Sequence, residues 1–258
     1  MSLYFTSLNS GSNGNCYYIG NSLEAVMIDA GISCRETERR MIRLGLSIRK
    51  VKGIFISHEH IDHIRGAEVL SRKYGIPVYI TEKTYDNSRL KLDPLLINGF
   101  NANETVHIGS LCVKPVRKQH DAAEPHSFTV CGNGITVGVF TDIGTASENV
   151  VHHFNQCHAA FLEANFDDEM LEKGRYPRFL KRRIRSDEGH LSNDQALDLF
   201  INHRPQFMNL LVLSHLSEHN NHPQLVHDLF STYSNGTRIV VASRYEESEV
   251  FCFRQDSK

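Results

Sequence analysis

Short apolar runs that stop abruptly at polar residues recur along the chain, and they predict strands whose ends carry chemistry. Tyr4 to Leu8, Cys16 to Ile19 and Ala25 to Asp29 read as strands separated by turns. Ile54 to Ile56 reads as a buried strand, followed by Val78 to Ile80 and Leu111 to Val116. Phe128 to Cys131 and Ile135 to Phe140 flank Asn133-Gly134, a strong hairpin signal. Ala159 to Leu162, Leu210 to Leu213, Arg238 to Ala242 and Val250 to Phe253 complete the set. Between them the spacing turns helical. Ser33-x-x-Glu36 is a capping box opening a helix to about Leu44, and a second helical stretch runs from Ile64 to the stop at Gly75. A polar helix starts near Thr81, Ser192 and Gln195 cap one running to His203, and Pro223 opens one to about Ser231. Asp93 to Asn103 reads as loop. Strands separated by helices, with polar residues at the strand ends, predict an α/β (α+β) chain of two sheets packed face to face under outer helices.

The strand ends are where the composition becomes informative. Ser57-His58-Glu59-His60-Ile61-Asp62-His63 places three histidines and an aspartate in six positions directly after a buried strand. Alternate side chains of an extended chain share a side, so His58 and His60 can bind one metal ion, and Asp62 and His63 can point to a second. Imidazole and carboxylate without thiolate suit a divalent transition metal at a reactive site rather than a structural zinc knuckle. Further strands deliver His120, Asp142 and His215 just past their ends, and Asp29 closes the strand Val26 to Ile28.

Length and bulk composition set the frame for that chemistry. A chain of 258 residues with 40% hydrophobic and 22% charged residues is expected to form one globular domain over 1–258. No apolar run approaches the ~20 residues needed to span a bilayer. Met1 to Phe5 lacks a basic region followed by an apolar core, so no signal peptide is expected. The six cysteines are scattered without a C-x-x-C pair and read as reduced thiols of a cytoplasmic protein. A net charge of −2 argues against wholesale polyanion binding but leaves room for a local basic patch. One is present: Lys173, Arg175, Arg178, Lys181, Arg182, Arg183 and Arg185 occur without an intervening acidic residue. The strip reads either as a solvated helix face or as contacts to phosphates, with Arg175, Arg178, Lys181, Arg182, Arg183 and Arg185 as the nucleic-acid candidates. The turn Asn9-Ser10-Gly11-Ser12-Asn13-Gly14-Asn15 is likewise either a hairpin loop or a polar loop able to meet a phosphate.

The H-x-H-x-D-H string at a strand end resembles the signature of the metallo-β-lactamase fold superfamily. That resemblance implies an αβ/βα four-layer sandwich with metals along one edge. It implies that His58, His60 and His120 hold one ion, that Asp62, His63 and His215 hold the other, and that Asp142 bridges them. Asp29 then lies beneath the pocket and orients the histidine motif, and Asp62 belongs to the catalytic set together with His190. An aspartate at the bridging place marks the phosphodiester and thioester hydrolases, so antibiotic hydrolysis is not expected. Gly189-His190-Leu191-Ser192 resembles the Gly-His-Ser segment of the tRNA 3′-processing ribonucleases. There the histidine faces the scissile phosphate; the plainer alternative is a histidine at the start of the Ser192 helix.

A nearer likeness extends from about Ser7 to Ala242. Ser-Gly-Ser-Asn-Gly-Asn-Cys, Ile-Asp-Ala-Gly-Ile-Ser, Gly-Arg-Tyr-Pro before Lys-Arg-Arg-Ile, Gly-His-Leu-Ser-Asn and His-Leu-Ser-x-x-Asn-Asn together resemble the bacterial YycJ/WalJ/VicX family. His126-Ser127 departs from that pattern, where a small residue is expected, and His219 and His222 are expected in solvent. The resemblance implies a cytoplasmic metal-dependent phosphodiesterase or nuclease, a 5′-to-3′ DNA exonuclease linked to mismatch repair. Two divalent ions, manganese or zinc with iron an option, would supply a hydroxide nucleophile. DNA is the expected partner, with no membrane. The rival readings are a glyoxalase-II-like thioester hydrolase and a small-molecule phosphodiesterase such as one for cyclic nucleotides.

Overall fold

The apolar runs become the strands of two sheets in a computed structural model that describes residues 2–254. The chain opens with β1 (Ser2–Asn9), β2 (Cys16–Gly20) and β3 (Ala25–Ile28), then α1 (Cys34–Arg43) and β4 (Val51–Phe55). The short α2 (Ile61–Ile64) and α3 (Ala67–Tyr74) lead to β5 (Val78–Tyr79), α4 (Glu82–Ser88) and β6 (Ile97–Asn98). A run of strands follows: β7 (Val106–Ile108), β8 (Leu111–Arg117), β9 (His126–Gly132) and β10 (Ile135–Phe140). Next come α5 (Glu148–Phe154), β11 (Ala159–Glu163), α6 (Asp168–Lys173), α7 (Arg178–Ile184) and α8 (Asn193–His203). The chain closes with β12 (Leu210–Ser214), α9 (Pro223–Ser231), β13 (Arg238–Val241) and β14 (Phe251–Arg254).

One seven-stranded sheet has the order β14-β1-β2-β3-β4-β5-β6, and the other β13-β12-β11-β10-β9-β8-β7. The β14–β1, β1–β2 and β2–β3 pairs are antiparallel and the rest of the first sheet is parallel. The second sheet is parallel from β10 to β13 and antiparallel from β10 to β7. Alternation decides what each strand buries. Phe5, Tyr17, Val26 and Phe55 of the first sheet meet Phe128, Val137, Phe161 and Val212 of the second in a shared inner core. The outer face of the first sheet packs Met27 and Ile54 against Met41 of α1 and Leu70 of α3. The outer face of the second packs Leu162 and Leu213 against Phe154 of α5, Phe200 of α8 and Phe230 of α9. The result is the expected αβ/βα four-layer sandwich, and each fully buried Phe or Leu contributes roughly 1.5–3 kcal/mol to holding it.

Several local readings are corrected. Asp93 to Asn103 is not all loop: Pro94–Leu96 forms a 3₁₀ turn and β6 adds an edge strand. The stretch from Ile64 to Gly75 breaks at Gly66, where a side chain would lie 2.1 Å from the Ile32 carbonyl. Ser33 caps α1 by accepting from the Glu36 N–H, but the Glu36 carboxylate turns to Arg39 and Arg40 instead of closing a box. The Ser192–Gln195 box is reciprocal. The basic strip folds into the end of α6 and all of α7, which the charge pattern alone does not reveal.

Candidate metal centre

His58, His60, Asp62 and His63 lie on the turn that β4 feeds into α2, and they meet side chains delivered by the second sheet. His58, His60 and His120 bring ligand atoms within 4.8 Å of one another, as do Asp62, His63 and His215. Asp142, after β10, stands between the two groups. Its carboxylate lies 3.2 Å from His63 Nε2, 3.4 Å from His215 Nε2 and 3.9 Å from His120 Nε2. The structure therefore brings together all seven candidate ligands, which in sequence span more than half of the chain. Gly31 permits the approach, because a side chain there would sit 1.6 Å from the Asp62 carbonyl. Three of the residues that shape the site, Asp29, Asp142 and His215, have left-handed backbone, with φ of 60°, 55° and 55°. Asp29 and His215 follow a strand end directly, and Asp142 comes two residues after one. The sharp turns aim Asp142 and His215 into the cleft and Asp29 beneath it, each at a cost on the order of 1–3 kcal/mol.

Partners on the far side of each ring fix which nitrogen is free. His63 Nδ1 lies 2.7 Å from Asp29 Oδ2, and His58 Nδ1 lies 2.9 Å from Ser57 Oγ, which itself donates to Asp29 at 2.8 Å. Asp29 thus sits beneath the histidine turn. His120 Nδ1 is 3.0 Å from the Gly189 carbonyl, and His215 Nδ1 is 3.0 Å from Glu163 Oε1. The opposite Nε2 atoms of His120 and His215 are buried and find no hydrogen-bond partner among the described residues. Such orphaned atoms are costly unless something accepts their lone pairs, and a divalent cation does so.

The charge balance points the same way. Burial holds His58 neutral, well below the usual imidazole range, and pushes His120 down to about 3. Burial also opposes charge on His63 and His215, but Asp142 and its neighbouring carboxylates overcome it, raising His63 and lifting His215 to about 10. Asp142 is buried yet held well below the carboxylate range by His215 and His63. Carboxylates and imidazoles buried together in this way match the chemistry of divalent-ion ligands, and the donor set fits.

His190 lines the same cavity of about 300 Å³ as His60, Asp62, His120, Asp142 and His215. Its side chain is 22% exposed, and its Nδ1 lies 2.8 Å from Glu163 Oε1. Glu163, at the end of β11, is a residue the sequence reading passed over. It is fully buried, joins His190 to His215 through one carboxylate oxygen, and accepts from the Ile143 N–H at 2.7 Å. Burial works against its ionisation, but His190 and His215 hold its carboxyl at about 2. The one signal for it in the sequence is a carboxylate that closes an apolar run, which alone does not set it apart. Asn15 was also missed as an individual residue; its amide lies 3.0 Å from His63 Nε2 and 3.3 Å from Asp62 Oδ2. Ser12 of the same glycine-rich turn lines the cavity.

The basic strip is divided. Tyr176, Leu180, Arg183 and Ile184 face the cavity. Arg183 grips Asp121 with two nitrogens, Arg185 pairs with Asp168 and Glu172, and Lys181 donates to the Glu172 carbonyl. Arg175, Arg178 and Arg182 are exposed. His126 is buried, away from the cavity lining, with its backbone N–H on the Ser57 carbonyl at 2.9 Å. His219 and His222 are exposed, as expected, and His222 caps α9.

Residues 24–215 match the beta-lactamase superfamily domain. The chain is 36% identical over 230 residues to exodeoxyribonuclease YycJ of Bacillus anthracis, covering 87% of this chain and 86% of that one. The chain belongs to the beta-lactamase superfamily, in its YycJ/WalJ branch. Exodeoxyribonuclease WalJ of Streptococcus pneumoniae is 32% identical over 228 residues, covering 86% of this chain and 85% of that one. Among solved structures, the metallo-β-lactamase fold protein YhfI of Bacillus subtilis superposes with a TM-score of 0.75 at 14% identity, covering 98% and 99% of the two chains. That likeness carries the superfamily fold. Among the described residues no helix is long and apolar enough to cross a membrane.

Proposed function

We propose that this metal-dependent hydrolase is a DNA exonuclease acting from the 5′ end, with two divalent ions held by the seven candidate ligands. His58, His60 and His120 would hold one ion, Asp62, His63 and His215 the other, and Asp142 both. Manganese and zinc are the favoured metals and iron suits the same donors. Ions in such a site polarise a phosphoryl oxygen and make water acidic enough to attack near neutral pH. The chain's own part is orientation and proton handling. Glu163 fixes His190 through Nδ1, so the remaining ring nitrogen is free to donate to a phosphoryl oxygen or to protonate the departing oxygen. Asn15 and Asp29 hold Asp62 and the histidine turn in place.

The observation that carries this reading is the placement of His190, braced by a buried carboxylate, in the same cavity as the seven-residue cluster. Thioester hydrolysis has no need of that residue or of cations at the rim. The names of the two relatives, both exodeoxyribonucleases, support DNA as substrate and digestion from a strand end. A place in mismatch repair and a cytoplasmic location extend the same reading. The small cavity favours a second reading, a phosphodiesterase for mononucleotide-sized substrates. Digestion of 5′-phosphorylated duplex DNA by metal-reconstituted protein, with label at either end, decides between them. Release of label first from the 5′ end is expected. Activity on cyclic nucleotides or a glutathione thioester with intact DNA would overturn the nuclease reading.

A further inference from the structure

The two faces of α7 differ in a way that the chemistry at the metal cavity does not require. Leu180, Arg183 and Ile184 turn inward and line the cavity, as positions three and four apart on a helix do. Arg178, Phe179 and Arg182 turn outward, and Phe179 is 73% exposed. An aromatic ring left in water beside two arginines is costly as ordinary surface. Neither arginine pairs with an acidic side chain within 4 Å among the described residues, whereas Arg183 on the same helix and Arg185 just after it do. The outward face is thus a ring flanked by two arginines without acidic partners among the described residues, on the helix whose other face lines a cavity of about 300 Å³.

Such a cavity admits one strand, not a base-paired duplex. Resting on the reading of the chain as a DNA nuclease, we propose that Phe179 is a strand-separating wedge. Its ring stacks on the terminal base pair while Arg178 and Arg182 hold phosphates on either side, and the cleaved strand alone passes beneath α7. Apolar side chains inserted at base steps unstack them, and base–aromatic stacking repays part of the cost without regard to sequence. Opposite charge favours nucleic acid as the occupant of this face over an apolar protein surface.

Three substrates of one sequence test the wedge: a blunt duplex, the same duplex with its first pairs mismatched, and the labelled strand alone. For Phe179→Ala the ratio of duplex to single-strand digestion should fall by about tenfold, the size of one lost stacking contact. The mismatched duplex should regain most of that loss, and Phe179→Trp should keep the wild-type ratio. Equal losses on all three substrates would make Phe179 a general binding contact and overturn the wedge. An unchanged ratio would do the same and leave the face to a protein partner. Wild-type protein that digests neither DNA form, yet hydrolyses a small phosphodiester, would instead overturn the nuclease reading beneath it. Because Phe179 is largely exposed, the alanine variant should keep its melting temperature, which guards each comparison.

Discussion

At the floor of the cleft His58, His63, His120, Asp142 and His215 are all buried, whereas α7 at the rim has no buried residue. The floor side chains are held from behind by groups that leave one atom free: Asp29 behind His63, Gly189 behind His120, Glu163 behind His215. The rim side chains are long, solvated, and either paired with acids of α6 and Asp121 or unpaired. The difference teaches where each part of the activity resides. A preorganised floor fixes the reaction type, because its atoms cannot move away from the reacting group. A solvated rim can only tune which substrate arrives and how tightly, and salt screens what it does.

The largest effect should come from the floor. Asp142→Ala should lose bound metal and lower turnover by more than ~10⁴-fold, beyond the usual worth of a single acid or base. Elemental analysis showing full metal content in that variant would break the bridging assignment and with it the picture of a single fixed floor. His190 stands between the two regions, partly exposed but braced from below. His190→Ala should keep its metal and lose about 10²- to 10⁴-fold in turnover, with a smaller loss on a nitrophenyl phosphodiester that needs no protonation on departure. Equal losses on both substrates together with a lowered melting temperature would return His190 to a capping role beside α8.

Glu163 sharpens the comparison further, since it touches the floor through His215 and the reacting edge through His190. Glu163→Gln should cost roughly 10- to 100-fold in activity or metal affinity, the usual range for a group that orients a ligand. Combined with His190→Ala, the two losses should be far from additive, because one acts through the other. Strict additivity would mean that Glu163 serves His215 alone.

What could be read in advance follows the same division. His58 to His63 are legible because four candidate ligands crowd the end of one apolar run. Asp142 and His215 are legible only once strand ends are taken together and matched to a family pattern, since each stands alone. Glu163 ends its strand in the same way, but a solitary carboxylate has nothing in sequence to distinguish it from a solvated turn. The left-handed backbone at Asp29, Asp142 and His215 leaves no mark either, because aspartate tolerates it without requiring it. At the rim, charge was legible and pairing was not. Glu169–Lys173 is an ordinary i,i+4 pair, but Arg183–Asp121 joins residues brought together only by the fold. The two-sheet architecture was the easiest part, because short continuous apolar runs bounded by turns are what strands buried on both faces require.

The smallest effect, and the one that most directly tests the rim, is the salt dependence of DNA binding. Each phosphate contact that a cation makes releases counterions, so its loss lowers the slope of log K against log salt by roughly 0.9 on duplex DNA. Among the described residues Arg178 and Arg182 have no acidic partner within 4 Å, so Arg178→Ala with Arg182→Ala should flatten the slope by nearly two such steps. Arg185 is already satisfied by Asp168 and Glu172. Its pairs must break before it can meet a phosphate, and Arg185→Ala should leave the slope unchanged while lowering stability by about 0.2–1 kcal/mol, the worth of exposed ion pairs. A slope that flattens equally for Arg185→Ala would show that the α6–α7 ion pairs open onto DNA. The rim would then be a single cationic track, and its division into free and committed cations would be lost.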